Sequence, residues 1–284
     1  MIDNHKVTIV IPAGRRRYME LLIPQILRED GWDELQIWLN TREPDDVAYI
    51  CGLPALDERI RVVRLPDGTE PNTVRTIHLF FPNCLEEGTV YIRFDDDICY
   101  IQPGTVRKLA AYRIRHREPF LIYPVIINNA FISHTYQALG RIRAPKYITT
   151  HCMDDVGWKD AKFAEKTHRT FLTYLEKGDV ERFKLPTRII SGCRVSINCI
   201  AWLGEEFAKF NGELGMTDEE EWLSVTRPTQ IAGYNMLYGE TIVAHFAFYP
   251  QREYLDGTDL LERYRKVLGL QEQDASTPIL GSAS

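Results

Sequence analysis

The sequence predicts an α/β fold built on a central, mostly parallel sheet. Three observations lead there. Val7-Thr8-Ile9-Val10-Ile11 is apolar and largely β-branched, without the polar alternation of a half-exposed strand, which marks a strand covered on both faces. Over the first 100 residues such strands alternate with helical segments, and strands so interleaved pair in parallel. Three carboxylates, Asp95-Asp96-Asp97, close the fourth strand. Ligands of parallel sheets bind outside the carboxyl ends of the strands.

The elements follow in order. Val7 to Ile11 is the first strand and stops at Pro12-Ala13-Gly14. A helix is expected from Tyr18 to Glu29, with Leu21, Leu22, Ile26 and Leu27 on one side and Pro24 able to kink it. Leu35 to Leu39 is the second strand, ending at Asn40-Thr41-Arg42, with a short helix after it. Ile60 to Leu65 is the third, closed by Pro66-Asp67-Gly68. Asn72 to Leu85 reads as a helix that Pro82 interrupts near its end, and Thr89 to Phe94 is the fourth strand. Thr105 to Arg117 is a helix and Phe120 to Ile127 a strand. Between 128 and 190 only Asp160 to Glu176 has a helical pattern, and the rest reads as loops over a site. Val195 to Ile200 is strand-like, Trp202 to Phe210 helical, Asp218 to Val225 a short helix, Glu240 to Phe246 a late strand and Asp259 to Leu268 a terminal helix. Gln271 to Ser284 is small and polar and reads as a disordered tail.

A chain of 284 residues can bury a sizeable core in one domain. Its 44% hydrophobic and 26% charged residues are ordinary for a soluble protein. A net charge of -6 weighs against nucleic acid as the default partner, although Arg15-Arg16-Arg17, Arg107-Lys108 and the arginines around His116 leave room for an anionic ligand. No run approaches the roughly 20 apolar residues of a spanning helix. Met1 to Lys6 has no signal-peptide pattern, and the six cysteines form no Cys-x-x-Cys pair. A cytoplasmic location, free or peripheral to a membrane, is therefore expected, with reduced thiols.

Three adjacent carboxylates at a strand end repel one another, and burial worsens the repulsion. A hard divalent cation offsets it and keeps open positions for phosphate oxygens. An acidic turn capping the next helix is the plainer reading of the same residues. Asp218 to Glu221 opens a predicted helix, where the dipole favours acids in any case. A carboxylate there could also deprotonate an attacking hydroxyl. His245 ends the late strand and could join two carboxylates around Mn²⁺, or simply be packed among aromatic residues. Asn72 and Arg75 precede the Asp strand, and an arginine there could neutralise phosphate or stay exposed. His151 to Asp155 has metal-ligand residue types without a zinc spacing. Trp158, Trp202 and Trp222 could stack on sugar rings, with Trp202 and Trp222 read as core.

Val7 to Pro12, the helix after it and Phe94-Asp95-Asp96-Asp97 resemble the family 2-like glycosyltransferases of the GT-A fold, a Rossmann-like sheet flanked by helices. Phe207 to Gly212 with Thr217 to Leu223 is similar to a second stretch of that family. The resemblance implies that Asp97 binds a divalent cation, Mn²⁺ or Mg²⁺, and that Asp95 binds the ribose or the metal through water. It places Pro12, Ala13, Gly14, Arg15, Asn72, Arg75 and Asp96 around a nucleotide-sugar donor, with Gly14 letting the backbone come close. Arg42 stands where the family carries an acidic residue, which leaves the nucleotide open, with a UDP-sugar favoured. Glu219, and after it Asp218, matches the family's base, although an Asp is more usual there. His245 would complete the metal site and Arg252 would face the diphosphate. The implied reaction is inverting transfer to a glycan or glycoconjugate. Residues 1–127 would form the donor half of a single domain and 128–270 the acceptor and catalytic half. A nucleotidyltransferase, a non-catalytic nucleotide- or glycan-binding protein and a transferase acting on nucleic acid are the alternatives.

Overall fold

The computed structural model describes residues 1–215 and 218–270. The expected disordered tail, Gln271 to Ser284, lies outside them. Among the described residues one sheet gathers β1 (Lys6–Ala13), β2 (Glu34–Leu39), β3 (Ile60–Val63), β4 (Thr89–Phe94), β5 (Ile98–Ile101), β6 (Ile122–Ile127), β7 (Arg188–Ile190), β8 (Cys199–Leu203) and β9 (Asn235–His245). Their order is β3-β2-β1-β4-β8-β6-β9-β5, with β7 also on β9. Neighbours from β3 to β4 are parallel, as are β6 and β9. β8 runs against both β4 and β6, and β5 and β7 run against β9.

The helices are α1 (Arg16–Arg28), α2 (Pro44–Gly52), α3 (Thr105–Arg115), α4 (Ala130–Ala138), α5 (Ala161–Leu175), α6 (Gly204–Ala208) and α7 (Glu219–Glu221). A π-helical turn, Trp222–Thr226, continues α7 into α8 (Arg227–Gln230), followed by α9 (Tyr249–Asp256) and α10 (Leu260–Val267). β4 and β6 are buried at every position, and β1 at all but its first residue. This is the mixed α/β fold expected from their unbroken apolar runs. The chain leaves β1 toward β2 on one side and reaches β4 on the other, so the strand order reverses beside β1. Such a reversal opens a crevice at the carboxyl ends of the strands.

Several segments depart from expectation: α4 and β7 form where loops were expected between 128 and 190, and neither β5 nor α9 was foreseen. Asn72 to Leu85 forms two 3₁₀ segments, Thr73–Arg75 and Ile77–Asn83, instead of an α-helix. Thr73 sits at φ +46°, outside helical space, and Pro82 removes a backbone donor. The strand expected at Val195 to Ile200 begins only at Cys199 and takes in Trp202, which was expected on a helix. Trp202 stacks on Tyr91 with ring centroids 5.6 Å apart, so it belongs to the core as read, but from the sheet. The helix after it starts at Gly204, where an added Cβ would come within 2.1 Å of the Glu86 carbonyl oxygen, so only glycine allows that close approach. The late strand is longer than expected because β6 pairs with it from Met236 to Ala244.

Candidate active site

The crevice beside β1 is where the Asp cluster lies. Ile98 N–H donates to the Asp95 carbonyl at 3.1 Å, which closes a tight turn between β4 and β5. Asp95 N–H donates to the Asn198 carbonyl at 2.8 Å, and Phe246 N–H donates to the Asp97 carbonyl at 2.9 Å. The turn is thereby tied to the segments before β8 and after β9. Its three carboxylates point in different directions, although Asp96 and Asp97 share Arg15.

Asp95 is the most exposed of the three. Its Oδ1 accepts from Arg93 Nη2 at 2.8 Å and its Oδ2 from Asn198 Nδ2 at 3.0 Å. Asp96 is buried and faces β1: it accepts from Gly14 N–H at 2.9 Å and from Arg15 Nε at 3.0 Å. Asp97 is also buried. Arg15 Nη1 lies 2.9 Å and Arg252 Nη2 3.7 Å from its Oδ2, and His245 Nε2 lies 3.3 Å from its Oδ1. Burial works against the charge of Asp97, but Arg15, His245 and Arg252 outweigh it and hold the carboxyl below the ordinary carboxylate range.

Ligand atoms from Asp95, Asp97 and His245 all lie within 4.8 Å of one another. Asp97 Oδ1 is buried and accepts no hydrogen bond among the described residues. A buried carboxylate oxygen without a donor, beside a second carboxylate and an imidazole nitrogen, fits a divalent cation. The other ring nitrogen of His245 lies 3.4 Å from the Asn128 carbonyl. Asn128 is held in turn by its Nδ2, which donates to Gln251 Oε1 at 3.0 Å and to the Phe246 carbonyl at 2.9 Å. Such outer contacts fix the ring orientation of a metal-binding histidine.

Arg93 joins this cluster to Glu219. Its Nη2 reaches Glu219 Oε1 at 2.9 Å as well as Asp95. Burial opposes the Arg93 charge, and Glu219 with Asp95 more than restores it. Glu219 is itself buried, and burial pushes its carboxyl up to about 7 against the pull of Arg93. Its Oε2 has no hydrogen-bond partner among the described residues. Asp218 is placed differently. It caps α7 by accepting from Glu221 N–H at 3.0 Å and pairs with Arg194 at 2.8 Å on the surface.

The remaining candidates surround the same crevice at different depths. Pro12 and Ala13 are buried at the end of β1, next to Gly14 and Arg15. Arg42, Asn72 and Arg75 are exposed, and neither arginine forms an ion pair among the described residues. The loops that carry them are joined, because Asn40 Nδ2 donates to the Thr73 carbonyl and Thr76 Oγ1 donates to Asn40 Oδ1, each at 2.7 Å. In the His151 to Asp155 segment, Asp154 organises a turn by accepting from Val156 and Gly157 N–H, both at 2.8 Å. Arg93, Asn198 and Asn128 escaped the sequence reading. Arg93 alone left a trace: a charged residue inside a strand buried on both faces needs a counter-charge nearby.

No protein-family model matches the chain, and no curated protein sequence matches it. Solved structures do. The mannosyltransferase PcManGT from Pyrobaculum calidifontis, in complex with GDP-Man and Mn²⁺, is similar over 97% of this chain and 66% of its own, with a TM-score of 0.52 at 10% identity. GalNAc-T7 with UDP, GalNAc and Mn²⁺ is similar over 93% of this chain and 48% of its own, with a TM-score of 0.51 at 12% identity. This chain thus spans about half to two thirds of the length of these two proteins. The likeness shows the fold: the chain has the mixed α/β architecture of the GT-A glycosyltransferases.

Proposed function

We propose that this protein is a metal-dependent glycosyltransferase that moves a sugar from a nucleotide-diphosphate donor to an acceptor hydroxyl with inversion. One observation carries the reading: Asp95, Asp97 and His245 converge at the crevice of a GT-A sheet, and Arg93 links them to a buried carboxyl, Glu219. Asp97, Asp95 and His245 are assigned to the cation, and the oxygen and nitrogen donors suit Mn²⁺ better than Mg²⁺. A cation bound there would act as a Lewis acid toward the leaving diphosphate.

The chain's own residues do the rest. Arg15 and Arg252 already lie beside Asp97 and can turn to phosphate oxygens by charge-assisted hydrogen bonds. Asp95, partly exposed, is available to the ribose. A Cβ on Gly14 would only touch the Asn40 carbonyl oxygen at 3.4 Å, an ordinary contact, so packing does not demand the glycine. Close approach of the donor to the Gly14 backbone would account for it. Pro12, Ala13, Asp96, Arg42, Asn72 and Arg75 complete the donor side. Glu219 is the base: the acceptor oxygen bonds to the anomeric carbon, the bond to the diphosphate breaks, and the hydroxyl proton passes to Glu219. A carboxylate with a pKa of about 7 is ionised near neutrality and still basic enough to take that proton. A UDP-sugar is the first donor to try and a glycan or glycoconjugate the acceptor class, at a cytoplasmic or membrane-peripheral location.

The test is a thermal-shift panel of UDP-, GDP-, CMP- and dTDP-sugars with and without Mn²⁺, followed by product detection with the stabilising donor. Nucleoside diphosphate release that needs the metal and disappears in Asp97→Ala is the expected result. Pyrophosphate release would identify a nucleotidyltransferase instead, and a donor that binds without being consumed would identify a binding protein. A fully active Asp97→Ala variant would end the metal assignment.

A further inference from the structure

β6 ends beside a cavity of about 280 Å³ that the site above does not use. It lies between α4 and α5, and its apolar walls are Ile127, Ile132, Tyr136, Ile142, Phe163 and Phe183. Two hydrogen bonds hold the wall that carries Phe183 in place. The Tyr136 hydroxyl donates to the Phe183 carbonyl, and Arg141 Nη1 donates to the Lys184 carbonyl at 2.7 Å. The volume is close to the lower end of the usual range for ligand sites, about 300 Å³.

The mouth is the opposite in character. Arg143 and Lys166 line the cavity and also an adjoining cleft of about 400 Å³, where Lys162 joins them. None of these three cations forms an ion pair among the described residues. Two acids lie nearby, and one of them, Asp160, lines the same cleft. Asp160 Oδ1 caps α5 by accepting from Lys162 and Phe163 N–H, each at 3.0 Å. Glu165 pairs with Arg169 and accepts from the Tyr254 hydroxyl. Three cations against one acid leave the lining of this cleft with a net positive charge, which favours an anion. An occupant that answers both features has an apolar chain and an anionic head.

We propose that this cavity binds an amphiphile with a single apolar chain and a phosphate head. The chain enters between α4 and α5, and the phosphate rests on Arg143, Lys162 and Lys166. Asn128 lines the cavity, and its carbonyl contacts the His245 ring, so the bound amphiphile shares a wall with the candidate metal site. The site stands whether or not the transferase reading holds.

Titration calorimetry on the intact protein tests it, with decyl phosphate kept below its micelle concentration as the probe. Decyl phosphate is expected to bind once per chain, and decanol and inorganic phosphate each at least about tenfold more weakly. Arg143 and Lys166 are surface residues, so the double variant Arg143→Glu, Lys166→Glu should fold and lose at least about tenfold in affinity. Ile132→Phe, which fills the cavity without touching the charges, should weaken decyl phosphate while the melting temperature holds. Equal binding of decanol and decyl phosphate would overturn the proposal, as would unchanged affinity in the charge-reversed variant. Flotation with phosphatidylcholine vesicles that carry lysophosphatidic acid, but not with phosphatidylcholine vesicles alone, would support it with a membrane lipid as the source of the head group. Binding of the free probe alone would support it with a soluble source.

Discussion

The carboxyl of Glu219 sets the expected pH dependence of turnover. Burial raises it from the ordinary 4.5 to about 7, with Arg93 opposing. In the proposed role of base it must be ionised, so kcat/KM should rise with pH and level off above about pH 7. At about pH 6, one unit below the midpoint, roughly one molecule in eleven carries the carboxylate, so the rate should be about tenfold below its plateau. Glu219→Gln keeps the side chain's size and an oxygen for Arg93 but cannot take the proton. It should lower kcat by about 10² to 10⁴-fold and erase the acid limb. The same shift predicts a stability signature. A carboxyl whose folded pKa exceeds its unfolded value holds its proton more tightly when folded, so wild-type stability falls as pH rises from 4.5 to about 7. The loss is about 3 kcal/mol and should be missing from the variant. The assay is nucleoside diphosphate release from about pH 5.5 to about pH 9 at fixed Mn²⁺, with urea melts at about pH 4.5 and about pH 9. A flat wild-type profile, or an acid limb that survives in Glu219→Gln, would refute the assignment.

Two further perturbations probe the framework around the site. Asp96→Asn keeps the shape of a buried group that holds Gly14 and Arg15 but removes its charge. Breaking a buried pair costs about 3 to 5 kcal/mol, and because Arg15 keeps Asp97 the lower figure applies. At a typical unfolding entropy for a chain of this size that is a fall in Tm of about 5 °C, measurable by calorimetry. Asn198→Ala frees the Asp95 carboxylate from its 3.0 Å hydrogen bond. Mn²⁺ affinity, read by calorimetric titration, should drop about 10- to 100-fold while Tm changes by no more than about 2 °C. Unchanged affinity would take Asp95 out of the metal site.

Much of the sheet was legible because its central strands are unbroken apolar runs and the helices between them keep a helical period. The region that follows was harder for a definite physical reason. Cys199-Ile200-Ala201-Trp202-Leu203 is apolar without alternation, and such a run suits a buried strand or a buried helix equally. Only its antiparallel pairing with β4 decides between them. The Asp cluster was legible as a place, at the end of β4. Its division of partners was not, because three identical side chains carry no mark of direction. The turn closed by Ile98 N–H aims Asp96 at β1 and Asp97 at β9. Arg93 was legible only as an oddity, since Glu219, its second partner, comes from a helix far along the chain.

The charges in the crevice bear on the proposed cation. Asp95, Asp96, Asp97 and Glu219 face Arg15, Arg93 and Arg252, so with Glu219 ionised four carboxylates meet three guanidiniums. The balance is one negative charge, which repels a diphosphate. A divalent cation reverses the sign of that balance and turns repulsion into attraction. Donor binding should therefore depend on the metal more strongly than any single contact explains, because losing the cation both removes a ligand and leaves a like charge in a buried site. Asp97→Asn removes one of the four negative charges. It should weaken metal binding and yet let a nucleoside diphosphate bind better than it binds to the metal-free wild type. A variant that binds the nucleotide no better would mean that coordination, not charge balance, governs donor recognition.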